Sequence, residues 1–503
     1  MQIYSMSNAD DAVKTTTLRC TTHCLDLNIG TDKYVPKMIK GIHFISAAAA
    51  SPTTTTLIEK GGAVILSNFQ SSRYAPGSSN FDMTIEACIF EGFSALDEGG
   101  AIHVVNVRAR LHLNRLVFKG NTALGTYGGA MSIDTSTDVV INDVECIGNH
   151  AKQFGGCLSI TSNDEDGVPS SVVVDKLSST NDKSDRRGGA VYVGRSSLLT
   201  MTDSTLKNAV GAGAIYASSA KVTLSKISVI DSTCPIDSAA VMCVSSSLKM
   251  TDGSKISGTN GRGLKGIGCS LIVQDVHFLS NVVVPSQSKG AAKDINGGGI
   301  LLVSESELTV ASSTFESNTA DGDGGGIMCN ECIKMEITTS KFIGNVAGRG
   351  GGLSIYETPT NGKITSTTFT NNQALKGGGG AIYRVGEAAP VLSDSVAFEG
   401  NVALYGNDTA TEPFQAVVRR ESKEMISNDE EINSPGILLN VLDRYNTTVK
   451  DETVSILVTA SSEVVSVPLF GAEQIPIKNE TGLATFNKLV LAGKPGDHII
   501  SFS

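Results

Sequence analysis

The feature that most limits what this chain can fold into is a phrase repeated at a nearly fixed interval. Phe315-Glu-Ser-Asn318, Phe342-Ile-Gly-Asn345, Phe369-Thr-Asn-Asn372 and Phe398-Glu-Gly-Asn401 place their phenylalanines 27, 27 and 29 residues apart. Between the copies sits a glycine run closed by an aliphatic residue: Gly324-Gly325-Gly326-Ile327, Gly350-Gly351-Gly352-Leu353 and Gly379-Gly380-Ala381-Ile382. A fixed period of this size is the mark of a solenoid. Each period also holds about three short alternating runs, such as Lys334-Met-Glu-Ile-Thr-Thr339, and none has helical periodicity. Three strands and three corners describe one coil of a parallel β-helix, with coils stacked at roughly 4.8 Å. One coil cannot bury its inner face alone, so stability comes from stacking neighbours.

The motif residues have separate structural tasks. Phenylalanine is expected to point into the bore and stack on its equivalent one coil away. Asparagine, three residues on, falls at a corner, where it is expected to take a left-handed backbone and bond the adjacent coil. The glycines at the opposite corner allow positive φ and close backbone approach.

Glycine-corner markers can be placed from Gly62 onward, at Gly100, Gly129, Gly156, Gly189, Gly213, Ala239, Gly268, Gly298, Gly325, Gly351 and Gly380. Phe118…Asn121 and Phe278…Asn281 are full copies of the other motif; Cys146-Ile-Gly-Asn149 replaces the phenylalanine. Ser178-Ser-Thr-Asn181 and Thr205-Leu-Lys-Asn208 read as eroded copies, and Val229 to Ser232 and Ile256 to Thr259 lack the asparagine. The expected fold is all-β: a right-handed parallel β-helix of about 13 coils, then a small Ig-like β-sandwich. Residues 1–50 read as a cap or irregular lead-in, 51–410 as the β-helix, 411–435 as a charged linker or cap, and 436–503 as the sandwich.

Lys+Arg 40 against Asp+Glu 51 gives a formal charge of −11, which argues against a nucleic-acid partner or an anionic membrane surface. No apolar run approaches the about 20 residues of a membrane span, and no secretory leader is visible. The expectation is an extracellular or cell-surface protein, with this chain a fragment of something longer. Three N-x-S/T triplets, at Asn407, Asn446 and Asn479, are candidate glycosylation sites beyond the last coil.

Chemistry-bearing residues give weaker signals. The ten cysteines fit a disulfide-bonded protein or a reduced, packed set. Cys329-x-x-Cys332 can close a local disulfide; a zinc reading needs a second pair, and Cys20, His23 and Cys24 lie far away in sequence. Acidic groups that could serve polysaccharide cleavage are Asp164-Glu165-Asp166, Asp321 and Asp323, with Arg186-Arg187 as basic partners, although all read as solvated corners. Asp321-Gly-Asp323 offers two carboxylates for calcium without further acidic ligands, and the Thr53 to Thr56 run does not recur at the coil period. The seven histidines show no metal-ligand spacing, and with Trp 0 only tyrosine could stack on a sugar. No catalytic residue, metal or cofactor is expected.

The in-phase alternation of G-G-A-I with F-x-x-N over residues 60–406 resembles the chlamydial polymorphic outer membrane protein repeat, and related β-helix surface proteins of protists and algae. That resemblance implies a surface-displayed, adhesin-like passenger. The run of alternating transmembrane strands that ends the bacterial proteins is missing from this sequence. Leu442-Asp-Arg-Tyr-Asn446, Gly482-x-Ala-x-Phe486 and Gly493-x-Pro-Gly496 resemble Ig-like modules of large microbial surface proteins. Two functions follow as expectations: a non-enzymatic stalk presenting loops to an unknown surface ligand, glycan or protein, or a pectate-lyase-like carbohydrate-active enzyme or polysaccharide-binding protein. An enzyme gathers acidic and basic groups into one groove; a stalk has no need to.

Overall fold

The computed structural model describes residues 2–5, 16–20, 24–28, 38–46, 58–67, 82–108, 110–162, 169–235, 237–283, 295–357, 362–387, 389–420, 437–451, 457–462, 469–470, 474–476, 481–486, 490–491 and 500–502. They form a parallel β-helix in which successive coils pair strand on strand. One face is a 14-stranded sheet from Leu25–Asn28 to Thr409–Thr411. A 26-stranded sheet forms the next faces, most coils giving it two strands around a corner. Short 6- and 4-stranded sheets close the coil.

The bore is organised by one register column. Phe44 pairs with Phe90 and Phe90 with Phe118. Cys146, Ser179, Leu206, Val229 and Ile256 then follow, one per coil. Phe278, Phe315, Phe342, Phe369 and Phe398 complete it. From Phe278 onward the rings stack at 4.9, 4.8, 4.7 and 5.5 Å between centroids. Phe44, Phe90 and Phe118 stack at 4.8 and 5.1 Å.

Beside the rings runs a buried amide ladder. Asn281, Asn318, Asn345 and Asn372 each donate Nδ2 to Oδ1 of the next asparagine, ending at Asn401, over 2.9 to 3.1 Å. The same Oδ1 accepts the preceding asparagine's backbone N–H. A second Nδ2 bond reaches a phenylalanine carbonyl, as in Asn345 to Phe315 at 2.8 Å. Every polar atom of these side chains is therefore paired inside an apolar bore, the condition for burying an amide.

The left-handed residue is not the asparagine, as the sequence reading had it, but the one before. Gly120, Ser280, Ser317, Gly344, Asn371 and Gly400 have φ between 53° and 62°. With the corner turned there, the asparagine keeps an ordinary backbone and aims its amide inward. The eroded copies also shift by one. Ser179 and Leu206 stand in the column, so Asn181 and Asn208 are the left-handed residues and Asp182 and Ala209 occupy the ladder position.

At the glycine corner Gly324 has φ +71°, and a Cβ on Gly325 would sit 2.5 Å from the Gly351 carbonyl oxygen. Strand register puts Arg262, not Gly268, at this corner in the coil after Ala239, since Ala239 pairs with Arg262. Gly268 turns a different corner, at φ +59°.

The boundaries also move. Thr16–Cys20 already pairs in parallel with Ile42–Ser46, so coils begin inside the expected lead-in. Pro413–Arg420, assigned to the linker, is a strand antiparallel to Ile437–Asp443, which in turn pairs with Leu483–Phe486. Leu457–Ser462 pairs with Gln474–Pro476 and Ile500–Phe502. Leu439, Val441, Val449, Ala484 and Phe486 share a small core with Tyr383, Tyr405 and Ala410 of the last coils. The antiparallel unit is thus packed onto the end of the β-helix.

Candidate functional site

The 14-stranded sheet alternates in the usual way: Ile102 and Val104 enter the bore and His103 faces outward. Several outward residues nevertheless lie against the residue before a glycine pair: His103 beside Glu98, Tyr192 on Phe154 and Tyr356 bonded to Asp323. The residue preceding the pair thereby forms a column along a groove. Lys60 pairs in register with Glu98, Tyr127 bridges Phe154, Phe154 bridges Arg187, and farther on Asp323 bridges Arg349.

At the N-terminal end this groove is polar. Lys60 Nζ is 3.6 Å from Glu98 Oε1, and His103 Nδ1 is 3.5 Å from Glu98 Oε2. Burial raises the Glu98 carboxyl above its ordinary range, Lys60 opposes that, and the charges of Asp97 and Asp134 add to it. Burial lowers His103 to about 3, so its imidazole is neutral at physiological pH. Asp97 accepts a hydrogen bond from Thr126 Oγ1 at 2.8 Å, and Asp134 from Thr161 Oγ1 at 3.1 Å. The groove thus holds two carboxylates fixed by hydroxyls and a third, Glu98, whose charged form is disfavoured.

Next along the groove come stacked aromatics. Tyr127 and Phe154 lie 5.1 Å apart, Phe154 and Tyr192 4.7 Å, and Tyr192 and Tyr216 6.0 Å, with Arg187 over the Tyr216 ring at 5.1 Å. These rings cover one another along the helix axis, and Arg187 covers one more face. They do not form an open platform for a sugar ring.

The C-terminal end of the groove is occupied by ion pairs. Asp323 receives two bonds from Arg349, both 3.0 Å, and one from the Tyr356 hydroxyl. Arg349 also stands 3.7 Å from Asp451 of the antiparallel unit and 5.1 Å from the Tyr383 ring centre. Asp321 pairs with Lys376 at 2.8 Å. Both carboxylates read as calcium or catalytic candidates are therefore engaged by cations, and Asp323 helps join the antiparallel unit to the last coils. Asp164 to Asp166, Thr53 to Thr56, His23 and Asn479 lie outside the described residues.

Of the other candidates, Asn407 is exposed and accepts a bond from the Ala403 N–H; Asn446, at φ 62°, accepts one from Gln415 Nε2. His43, His150 and His277 face Glu91, Asp185 and Glu316 at 2.9 to 3.0 Å. Cys329 and Cys332 form a disulfide, as do Cys146 with Cys157 and Cys243 with Cys269; Cys88 and Cys234 are free.

Sequence reasoning missed Lys60, Glu98, His103, Asp134 and Tyr127. A signal existed for some of them: Lys60, Glu98, Tyr127, Phe154, Arg187, Asp323 and Arg349 each directly precede a glycine pair. It also missed a serine ladder two residues before the phenylalanine, where Ser313 N–H donates to Ser340 Oγ at 3.2 Å and Ser340 N–H to Thr367 Oγ1 at 3.4 Å. The motif is therefore S/T-x-F-x-x-N.

Among the described residues, no helix is long and apolar enough to cross a membrane, which says nothing of membrane β-barrels. Residues 170–413 match the family described as the right-handed beta helix region. The comparisons with curated proteins and with solved structures each found no match.

Proposed function

We propose that this β-helix chain is a non-enzymatic stalk of an extracellular or cell-surface protein, adhesin-like, which presents its polar N-terminal groove to a surface ligand, glycan or protein. The observation that carries the reading is the unbroken register column from Phe44 to Phe398. At roughly 4.8 Å per coil that column is a rod about 60 Å long. The repeated Phe, Asn and Gly residues are consumed in holding it, while Lys60, Asp97, Glu98 and Asp134 are not among them. The likeness to chlamydial polymorphic outer membrane protein repeats, the Ig-like assignment of the antiparallel unit and glycosylation at Asn407, Asn446 and Asn479 are parts of the same proposal.

A second reading, a carbohydrate-active enzyme, is favoured by one feature: Glu98, with its raised carboxyl, shares the groove with Asp97 and Asp134. Fold analogy adds nothing decisive, since one fold serves many functions. A glycan-array screen of the whole chain, run beside reducing-sugar release from the glycans retained, separates the two. The stalk reading expects binding without release. Release that disappears in Glu98→Gln would replace it with the enzyme.

A further inference from the structure

Outside the groove, the repeat is broken in a concentrated way at one point of the bore. The coils from Phe118 to Leu206 lose their ring twice in succession, to Cys146 and then Ser179. The substitutes farther on, Leu206, Val229 and Ile256, are hydrocarbon side chains; Cys146 and Ser179 put a sulfur and a hydroxyl in the column instead. Opposite them Cys157 takes the place held by Ala130 before it and Ala190 after it, as the shared backbone pairing shows. The amide ladder from Asn121 through Asn149 ends at Asp182 instead of an asparagine.

These four departures from the repeat lie together. The Cys146 and Cys157 sulfurs and an Asp182 carboxylate oxygen are all within 4.8 Å of one another, and all three residues are buried. Asp182 is oriented from two sides: Asn149 donates its backbone N–H at 2.7 Å and Nδ2 at 2.9 Å to Oδ1, and Ser179 Oγ donates to Oδ2 at 2.6 Å. A disulfide alone gives no reason for a carboxylate beside it in an apolar bore, where the two preceding rungs, Asn121 and Asn149, are amides and the next ladder position is Ala209. Two thiolates and a hydrogen-bonded carboxylate are a ligand set for zinc, and partners that orient the carboxylate are the usual accompaniment.

We propose that Cys146, Cys157 and Asp182 bind a thiophilic divalent cation of the zinc type when the two cysteines are dithiols. Binding releases the two thiol protons to solvent and transfers no electrons. The disulfide of this structure is the alternative, two-electron-oxidised state of the same pair. A phosphine reductant with water converts it to the dithiol and becomes phosphine oxide. Metal and disulfide thus exclude each other, and the site records the redox state of the bore.

The test is a Co2+ titration of the full chain, held anaerobically with a phosphine reductant, followed by the near-ultraviolet thiolate-to-cobalt charge-transfer band. The expected result is a band at one equivalent, abolished in Cys146→Ser and Cys157→Ser, and at least about tenfold weaker affinity in Asp182→Asn. Asp182→Asn carries the test if the serine variants fail to fold, because asparagine is what the ladder holds in the two preceding coils, at Asn121 and Asn149. Cys329→Ser/Cys332→Ser should titrate like the parent. No band in the parent, undiminished affinity in Asp182→Asn, or loss of the band with Cys329 and Cys332 would overturn the assignment.

Discussion

Coils 278–401 and coils 206–259 share one backbone pattern and differ in what fills it. Both pair in parallel without a break. The first run stacks phenylalanines and closes every buried amide. The second carries Leu206, Val229 and Ile256 in the column, with Ala209, Ser232 and Thr259 at the ladder position. Ser232 Oγ and Thr259 Oγ1 are buried with no hydrogen-bond partner. Backbone pairing and an apolar bore are therefore enough for the coil, while the Phe and Asn side chains grade how firmly each coil is held. An aromatic pair adds ~1 kcal/mol and a satisfied buried hydrogen bond about as much. A few coils of either kind differ by an amount comparable to the margin of a domain.

The largest effects should come from breaking the regular run. Phe342→Ala removes a ring stacked on both sides and should cost ~4 kcal/mol in denaturant unfolding. Val229→Ala in the other run should cost ~2 kcal/mol. Asn345→Ala orphans the Asn318 amide groups and the Phe315 carbonyl, an expected loss of ~3 kcal/mol. Ser232→Ala deletes a hydroxyl that bonds nothing and should shift the midpoint little, or upward; equal losses for these two would refute the contrast.

One coil before the 206–259 run stands Asp182, whose carboxyl is pushed up to about 6, first by burial and against the bonds from Ser179 and Asn149. The unfolded carboxyl titrates near ~3.9, so between these values the folded state holds more protons. Its contribution to stability is thus greatest below about pH 4 and falls as pH rises to about 6. Asp182→Asn should remove that slope and stabilise the chain by ~2 kcal/mol at neutral pH, measured in the oxidised protein across a pH series. The smallest change should be Lys376→Ala: its pair with Asp321 is over a third exposed on the lysine side and should be worth under ~0.5 kcal/mol.

The β-helix was legible because Phe315, Phe342 and Phe369, with their asparagines and glycine corners, recur at a period that only stacking explains. Two errors came from reading a motif without its register. Asn181 and Asn208 look like ladder residues until strand pairing puts Ser179 and Leu206 in the column, and Gly268 resembles a corner marker until Ala239 is paired with Arg262. The groove was harder to find for a physical reason. Lys60, Glu98 and Asp134 come from successive coils and meet through stacking, so no local spacing announces them. Asp182 is not conspicuous in the sequence because its meaning depends on Asn121 and Asn149 of the preceding coils.

The most direct test of the contrast is native-state hydrogen exchange on the full chain, comparing backbone amides of 206–259 with those of 315–372. Interior side chains that grade the coils predict slower exchange in 315–372, with Asn345→Ala bringing it toward the rate of 206–259. Equal protection in the parent, or greater protection in 206–259, would mean that backbone pairing alone sets the stability of each coil.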